Sequence, residues 1–249
     1  MIKIDVYAVI TPVEQGVLHI PSNFCANLMF IWNEGSYEYF KDRNNLNILI
    51  DSGAYYYNYH HQEGDRNHDQ FINQYYEFIY RTLHDKKIKA YVELDLMFLG
   101  FKKILELREE LFSITDRIIP VYHANTPKSE FKRMVKKYNY VAISCSKNIN
   151  FPQSNYKYYV SLAHKYDCKI HGLGLNNKHV MTTVPFDSCD SSTYIMEGYS
   201  NYYYSCPVEK NPENNAIYRP IYSNLAFRKQ LSKQIYYKKF WDKKFEVLK

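Results

Sequence analysis

Six stretches of this 249-residue chain close a run of apolar residues with groups that can do chemistry. They are Asp51-Ser52-Gly53, Glu93-Leu94-Asp95, Tyr122-His123, Ser144-Cys145-Ser146, His171-Gly172-Leu173-Gly174 and Asp187-Ser188-Cys189-Asp190. Three carboxylates recur at these ends: Asp51, Asp95 and Asp190. Such a trio can hold a hard metal ion, serve as an acid/base pair, or supply a nucleophile with a separate acid/base. His123 and His171 add candidate imidazole ligands, but no HxH or HExxH spacing supports them as a transition-metal cluster. A carboxylate nucleophile suits an anomeric carbon, where a second carboxylate manages the proton. The residue types alone leave these chemistries open.

Plainer readings stand beside them. Asp190 followed by Ser191-Ser192 also fits a helix N-cap, and Asp, Ser and Gly are common loop formers. Cys189 has no basic neighbour in sequence and reads as a small buried residue rather than a nucleophile. His123 reads as a rim residue with a hydrogen-bond partner, and His60-His61 and His164 as solvated side chains.

The elements that would position these ends alternate. Strand-like runs cover 2–10, 46–51, 88–95, 117–122, 139–144, 168–173 and 184–189. Between them, FINQYYEFIYRTL, KKILELREELF, SEFKRMVKKY and NYKYYVSLAHKY carry apolar residues at helical spacing. Thr126-Pro127 is a candidate cap and first-turn pair for the third. Repeated β-α alternation predicts a parallel sheet, open or closed into a barrel, with active chemistry at the C-terminal ends of its strands. Residues 196–216 read as irregular surface chain.

Composition narrows the class. With 46% apolar residues the chain can build a sizeable core. No run reaches the roughly 18 apolar residues of a membrane span, and no membrane partner is expected. The N-terminus lacks the order of a signal peptide, and five cysteines without CxxC spacing read as reduced thiols in the cytoplasm. The net charge of +6 lies wholly in residues 225–249, where eight Lys/Arg face two acids. That segment reads either as a nucleic-acid contact, its aromatics stacking on unpaired bases, or as an amphipathic helix. In the second case Leu225, Leu231, Ile235 and Val247 would pack on the barrel.

Taken in order, the motifs resemble the tRNA-guanine transglycosylase superfamily, the queuine and archaeosine insertion enzymes. DSGAY (51–55) is similar to the family's DSGG[FY]. It is followed by the strand ending at Asp95, PVYHA (120–124), YVAISCS (140–146), HGLG (171–174) and FDSCDSSTY (186–194). The pattern, spanning 46–195, is closer still to the short phage-type enzymes that place 7-deazaguanines into DNA. The resemblance implies a single-domain (β/α)8 TIM barrel over 1–224 with a basic helical tail over 225–249. It implies base exchange at a nucleotide C1′ without a cofactor, in the host cytoplasm were the chain phage-encoded. Asp190 would be the nucleophile and Asp51 the general acid/base. Tyr55 would stack on one face of the base and His171 on the other, while Asp95 reads its amidine-like edge. Ser52, Gly53 and His123 would line the base, and Gly172 and Gly174 would let the backbone approach it. Partners would be DNA or RNA and a 7-deazapurine, with a partner protein or a homodimer left open. The chain departs from the family in lacking the CxCxxC…H zinc motif. It has Ser144-Cys145 for a glycine pair, Tyr122 or His123 for a glutamine, and Ser191-Ser192-Thr193 after the nucleophile position. A carboxylate-dependent hydrolase and a non-catalytic nucleic-acid-binding barrel are the alternatives.

Overall fold

The computed structural model describes residues 4–11, 18–60, 67–145 and 153–246. Among them nine parallel segments form one sheet: β1 (Asp5–Ile10), β2 (Ala26–Ile31), β3 (Leu46–Asp51), β4 (Ile88–Val92), β5 (Ile118–Ile119), β6 (Val121–Tyr122), β7 (Tyr140–Ser144), β8 (Lys169–Leu173) and β9 (Ser188–Ser191). Their order is β5-β4-β3-β2-β1-β9-β8-β7-β6, so the two ends of the sheet are neighbours in sequence. Only Pro120 separates them. Proline has no N–H to give, which interrupts the strand, yet its carbonyl accepts from Ala142 N at 2.8 Å. β5 and β6 are therefore two halves of one strand, and eight strands close a (β/α)8 barrel.

Strand alternation divides the core. Tyr7, Met29, Leu49, Ala90, Val92, Ile119, Val121 and Ala142 fill the lumen. Their neighbours face outward, with Leu28, Phe30, Ile48 and Ile50 on one side of the barrel and Val141, Ile143 and Ile170 on the other. Over these faces lie α1 (Ser36–Phe40), α2 (Ala54–His60), α3 (His68–Thr82), α4 (Phe101–Ile114), α5 (Lys128–Lys137), α6 (Tyr156–Lys165), α7 (Lys178–Thr183), α8 (Thr193–Ser205) and α9 (Pro212–Glu246). The helical spacing read in the sequence is realised in α3, which buries Phe71, Ile72, Tyr75, Phe78 and Ile79 and is capped by Asn67.

Several sequence expectations are corrected. β2 was not expected: a strand buried on both faces shows no alternation to read. The strand expected over 184–189 lies at Ser188–Ser191, because Val184 still closes α7. Pro127, not Thr126, occupies the N-cap position of α5, and no side chain caps it. Residues 196–216 are not irregular. Apart from a connection over 206–211, they belong to α8 and the start of α9, which pack so closely that a Cβ on Gly198 would meet Ser223 Cα at 3.0 Å.

α9 passes without interruption through the 224/225 boundary expected from charge. It buries Ala226, Phe227, Leu231, Tyr237 and Trp241, while Leu225 and Ile235, expected on the packing face, are exposed. Gln234 completes the start of β2, donating to Asn27 O at 3.0 Å and accepting from Asn27 N at 3.3 Å. Trp241 and Lys244 bond the Met181 and Thr182 carbonyls at 3.0 and 3.1 Å. Val247 and Lys249 lie outside the described residues. Among the described residues no helix is long and apolar enough to cross a membrane.

Candidate active site at the barrel rim

β3 ends on Asp51, whose lumen-facing position follows Asn47 and Leu49 by the period of two. Its Oδ1 accepts from Gly53 N at 3.0 Å, a turn made possible by Gly53 at φ +69°. A Cβ at Gly53 would also press on Ile31 Cγ2 at 3.2 Å. Beneath the turn Ser52 is buried, its carbonyl held by Trp32 Nε1 at 3.0 Å. Loss of water around the carboxyl pushes Asp51 up to about 7, opposed by the Gly53 hydrogen bond and aided by the charges of Asp190, Asp95 and Glu34. Asp190 and Asp95 are thus both close enough to act on Asp51.

Asp190 is held differently. It is 6% exposed, and its Oδ1 accepts from Gly174 N at 2.9 Å and pairs with His171 Nε2 at 3.0 Å. Among the described residues Oδ2 accepts no hydrogen bond, and it is not sealed from solvent. The N-cap of α8 is Ser192, so Asp190 is not a helix cap. His171 is fully buried in the lumen, and its Nδ1 lies 2.5 Å from Ser188 Oγ, which in turn bonds the Tyr140 hydroxyl. A ring with no exposed surface has no face to offer a base, so the stacking role expected of His171 is not the one its position allows.

The glycines of HGLG divide as well. Gly172 faces outward, where a Cβ would meet Leu175 at 3.0 Å and Phe186 at 3.3 Å; its missing side chain makes room for core packing, not for substrate. Gly174, at φ +69°, serves Asp190 through its N–H.

Asp95 follows β4 and bonds His123 Nε2 through Oδ2 at 2.7 Å. Burial opposes the charge on His123, but the hydrogen bond and charge of Asp95 outweigh it and raise its pKa. Of the two glutamine-position candidates, His123 lies at the rim. Tyr122 turns outward against Phe131 and donates to Thr126 O at 2.7 Å. Asn58 joins the first two strand ends, donating to Asp95 O at 3.0 Å and accepting from Met97 N at 3.1 Å. That clamps α2, and with it the 43%-exposed Tyr55, beside Asp95. A cavity of about 360 Å³ opens next to His123, lined by Met97, Phe101, Ile104, Thr126 and Met134 among others, and includes neither Asp51 nor Asp190. Glu93 is a structural residue. Buried, it takes Arg108 bidentately at 2.6 and 3.0 Å and Val121 N at 2.5 Å, stapling β4, α4 and β6.

Ser144 is buried on β7 and Cys145 accepts no role in this web; Ser146 and His61 lie outside the described residues. Cys189 is fully buried and its thiol is raised by that burial, away from nucleophilic chemistry. His164 bonds Asp187 at 2.9 Å rather than standing free in solvent. Ser188 and Tyr140 were not singled out in the sequence. The spacing of two between Ser188 and Asp190 was a usable signal, since it puts both on one strand face; Tyr140 carried none. Among the described residues no group of three or more His, Cys, Asp or Glu side chains is arranged to hold a metal ion.

Parallel strands closing on lumen-facing carboxylates define a (β/α)8 barrel with an acidic rim. No family model and no curated protein matches the chain. Among solved structures it is similar to a provisionally assigned fructose-1,6-biphosphate aldolase from Coccidioides immitis, with TM-score 0.59 and 10% identity over 93% of this chain and 90% of that one. It also aligns with the carboxyl transferase domain of Rhizobium etli pyruvate carboxylase, with TM-score 0.48 and 8% identity over 95% of this chain and 48% of that one. At such identity the likeness to the first shows the barrel fold alone.

Proposed function

We propose that the chain is a nucleic-acid base transglycosylase, exchanging a guanine for a 7-deazaguanine derivative in DNA or tRNA through a covalent aspartyl ester. The observation that carries this reading is the contrast between two neighbouring carboxylates. Asp190 has one oxygen anchored and the other open, as a nucleophile requires, while Asp51 titrates near neutrality, as an acid/base requires. Asp190 Oδ2 attacks C1′, and the C1′–N bond breaks with its electron pair leaving on guanine, which takes a proton from Asp51. The incoming base then returns a proton to Asp51 and attacks C1′, and the ester bond to Asp190 breaks. Asp95 accepts hydrogen bonds from the base with the oxygen that His123 leaves open, and Tyr55 stacks on it. The motif order of the transglycosylase superfamily supports this assignment of roles.

The test is mass analysis of nucleosides from DNA and from tRNA incubated with the protein and labelled 7-deazaguanines. Label retained in polynucleotide supports the reading. Release of free base without label uptake makes the same carboxylate pair a hydrolase, and no change in either nucleic acid leaves a non-catalytic binder.

A further inference from the structure

Behind the open carboxylate lies a line of hydrogen bonds that the reaction as written does not use. β9 places Ser188 and Asp190 on one lumen-facing side, and its pairing with β8 sets His171 opposite Ser188. The imidazole fills the space between the two. Tyr140 OH, Ser188 Oγ, the His171 ring and Asp190 Oδ1 then run in sequence from the start of β7 to the rim.

Donors and acceptors fix its direction. An ionised Asp190 can only accept, so His171 Nε2 carries the proton. In that tautomer Nδ1 is an acceptor, so the Ser188 hydroxyl donates to it, and Ser188 Oγ is left to accept from Tyr140. Each hydrogen bond in the line then has one donor and one acceptor, with Ser188 Oγ accepting from Tyr140 and donating to His171. Ser, His and Asp are also the members of a hydrolase triad, but here the order in space is reversed. Ser188, buried at the start of β9, is the member furthest from the rim, and the carboxylate is the member nearest it.

We infer that His171 and Ser188 are positioning residues that lock the Asp190 carboxylate, with Tyr140 anchoring the inner end of the line. This rests on the reading of Asp190 as nucleophile. With His171 Nε2–H and Gly174 N–H both on Oδ1, rotation of the carboxylate is blocked and Oδ2 faces C1′. Once the ester forms, Oδ1 is its carbonyl oxygen and keeps both donors. When the incoming base displaces the ester, the electron pair of the breaking bond returns to a carboxylate already hydrogen-bonded, which makes it a better leaving group.

Two measurements test this. The first needs no activity: ring ¹⁵N spectra of the folded protein should show His171 protonated on Nε2 and bare on Nδ1, with Ser188→Ala shifting the Nδ1 signal. A ring protonated on Nδ1 alone overturns the inference. The second is the single-turnover rate of forming the denaturation-resistant adduct. Ser188→Ala removes one oxygen and should slow it about 10-fold, and His171→Leu about 100-fold, the scale of a misplaced reacting group. The KM for the free base should stay within about twofold, because Asp95 and His123 are untouched. His171→Gln, which keeps a donor at the position of Nε2, should recover most of the rate. If His171→Leu and Ser188→Ala fold, by thermal melting, and form adduct at the wild-type rate, the residues do not position Asp190. If wild-type protein forms no adduct while the ¹⁵N pattern is as expected, the line of hydrogen bonds stands and the transglycosylase reading fails.

Discussion

Asp51 and Asp190 are the same side chain on the same rim, held in opposite ways. Asp190 is fixed by the His171 side chain and a backbone N–H on one oxygen, with two further polar groups, Ser188 and Tyr140, behind the imidazole. Asp51 has one backbone N–H from its own turn and three carboxylates acting against its charge. Loss of water and the neighbouring carboxylates favour the protonated form of Asp51. The way each carboxylate at this rim is held thus comes from its neighbours, not from the residue type.

The largest effect should come from removing the fixed one. Asp190→Asn keeps the shape and loses the nucleophile, so adduct formation should fall about 10⁴-fold or more while the melting temperature changes little. A trapped adduct on a denaturing gel with this variant would reverse the roles drawn above.

Asp51→Asn should lower exchange by about 10² to 10⁴-fold, the usual contribution of general acid–base catalysis. The wild-type rate profile should bend near pH 7, and the variant's should not. If both profiles bend alike, the titrating group lies elsewhere.

Stability offers a second view of the same carboxyl. Its folded pKa, about 7, is above that of the unfolded chain, about 3.8, so the folded state holds the proton longer. The stabilisation from this group is complete below about pH 4 and is lost as pH rises through about 7. Asp51→Asn should therefore gain on the wild type above pH 7 by about 1 to 4 kcal/mol, and gain nothing at pH 4, in urea titrations at both pH values. Equal differences at the two pH values would mean that Asp51 is not the desolvated member of the pair.

Gly172→Ala should cost about 1 to 3 kcal/mol through overpacking against Leu175 and Phe186. Base affinity should be unchanged, which separates its packing role from that of Gly174 beside Asp190. A raised KM without loss of stability would return Gly172 to the substrate side.

The smallest effect concerns α9. Lys238, Lys239 and Lys243 are exposed, whereas Lys244 is tied to Thr182 and stacked on Trp241 at 4.5 Å. Replacing only the first three with Gln should leave melting unchanged. For each phosphate they contact, the slope of log affinity against log salt should fall by about 0.7 to 0.9. An unchanged slope would confine the nucleic-acid footprint to the barrel rim.

The sequence by itself determined the alternation that builds the barrel and the polar strand ends that form its rim. A short apolar run ending at Asp51 marked β3, and helical spacing marked α3 through α6, because both signals are local. It did not disclose β2, whose two buried faces erase the alternation, nor α8 and the first turns of α9, a Tyr- and Asn-rich stretch held helical by packing at Gly198, Tyr194 and Tyr202. At the site it brought Asp190 and His171 to notice but not to each other. Their meeting depends on the β8–β9 register, and that register also turns Gly172 outward and buries the His171 ring. Which carboxylate is anchored and which is desolvated is likewise a property of neighbours contributed by different strands. Hydrogen bonding acts through space over a few ångströms, and only the closed barrel sets Tyr140 against Ser188, His171 against Ser188 and Asp190, and Asp95 against His123.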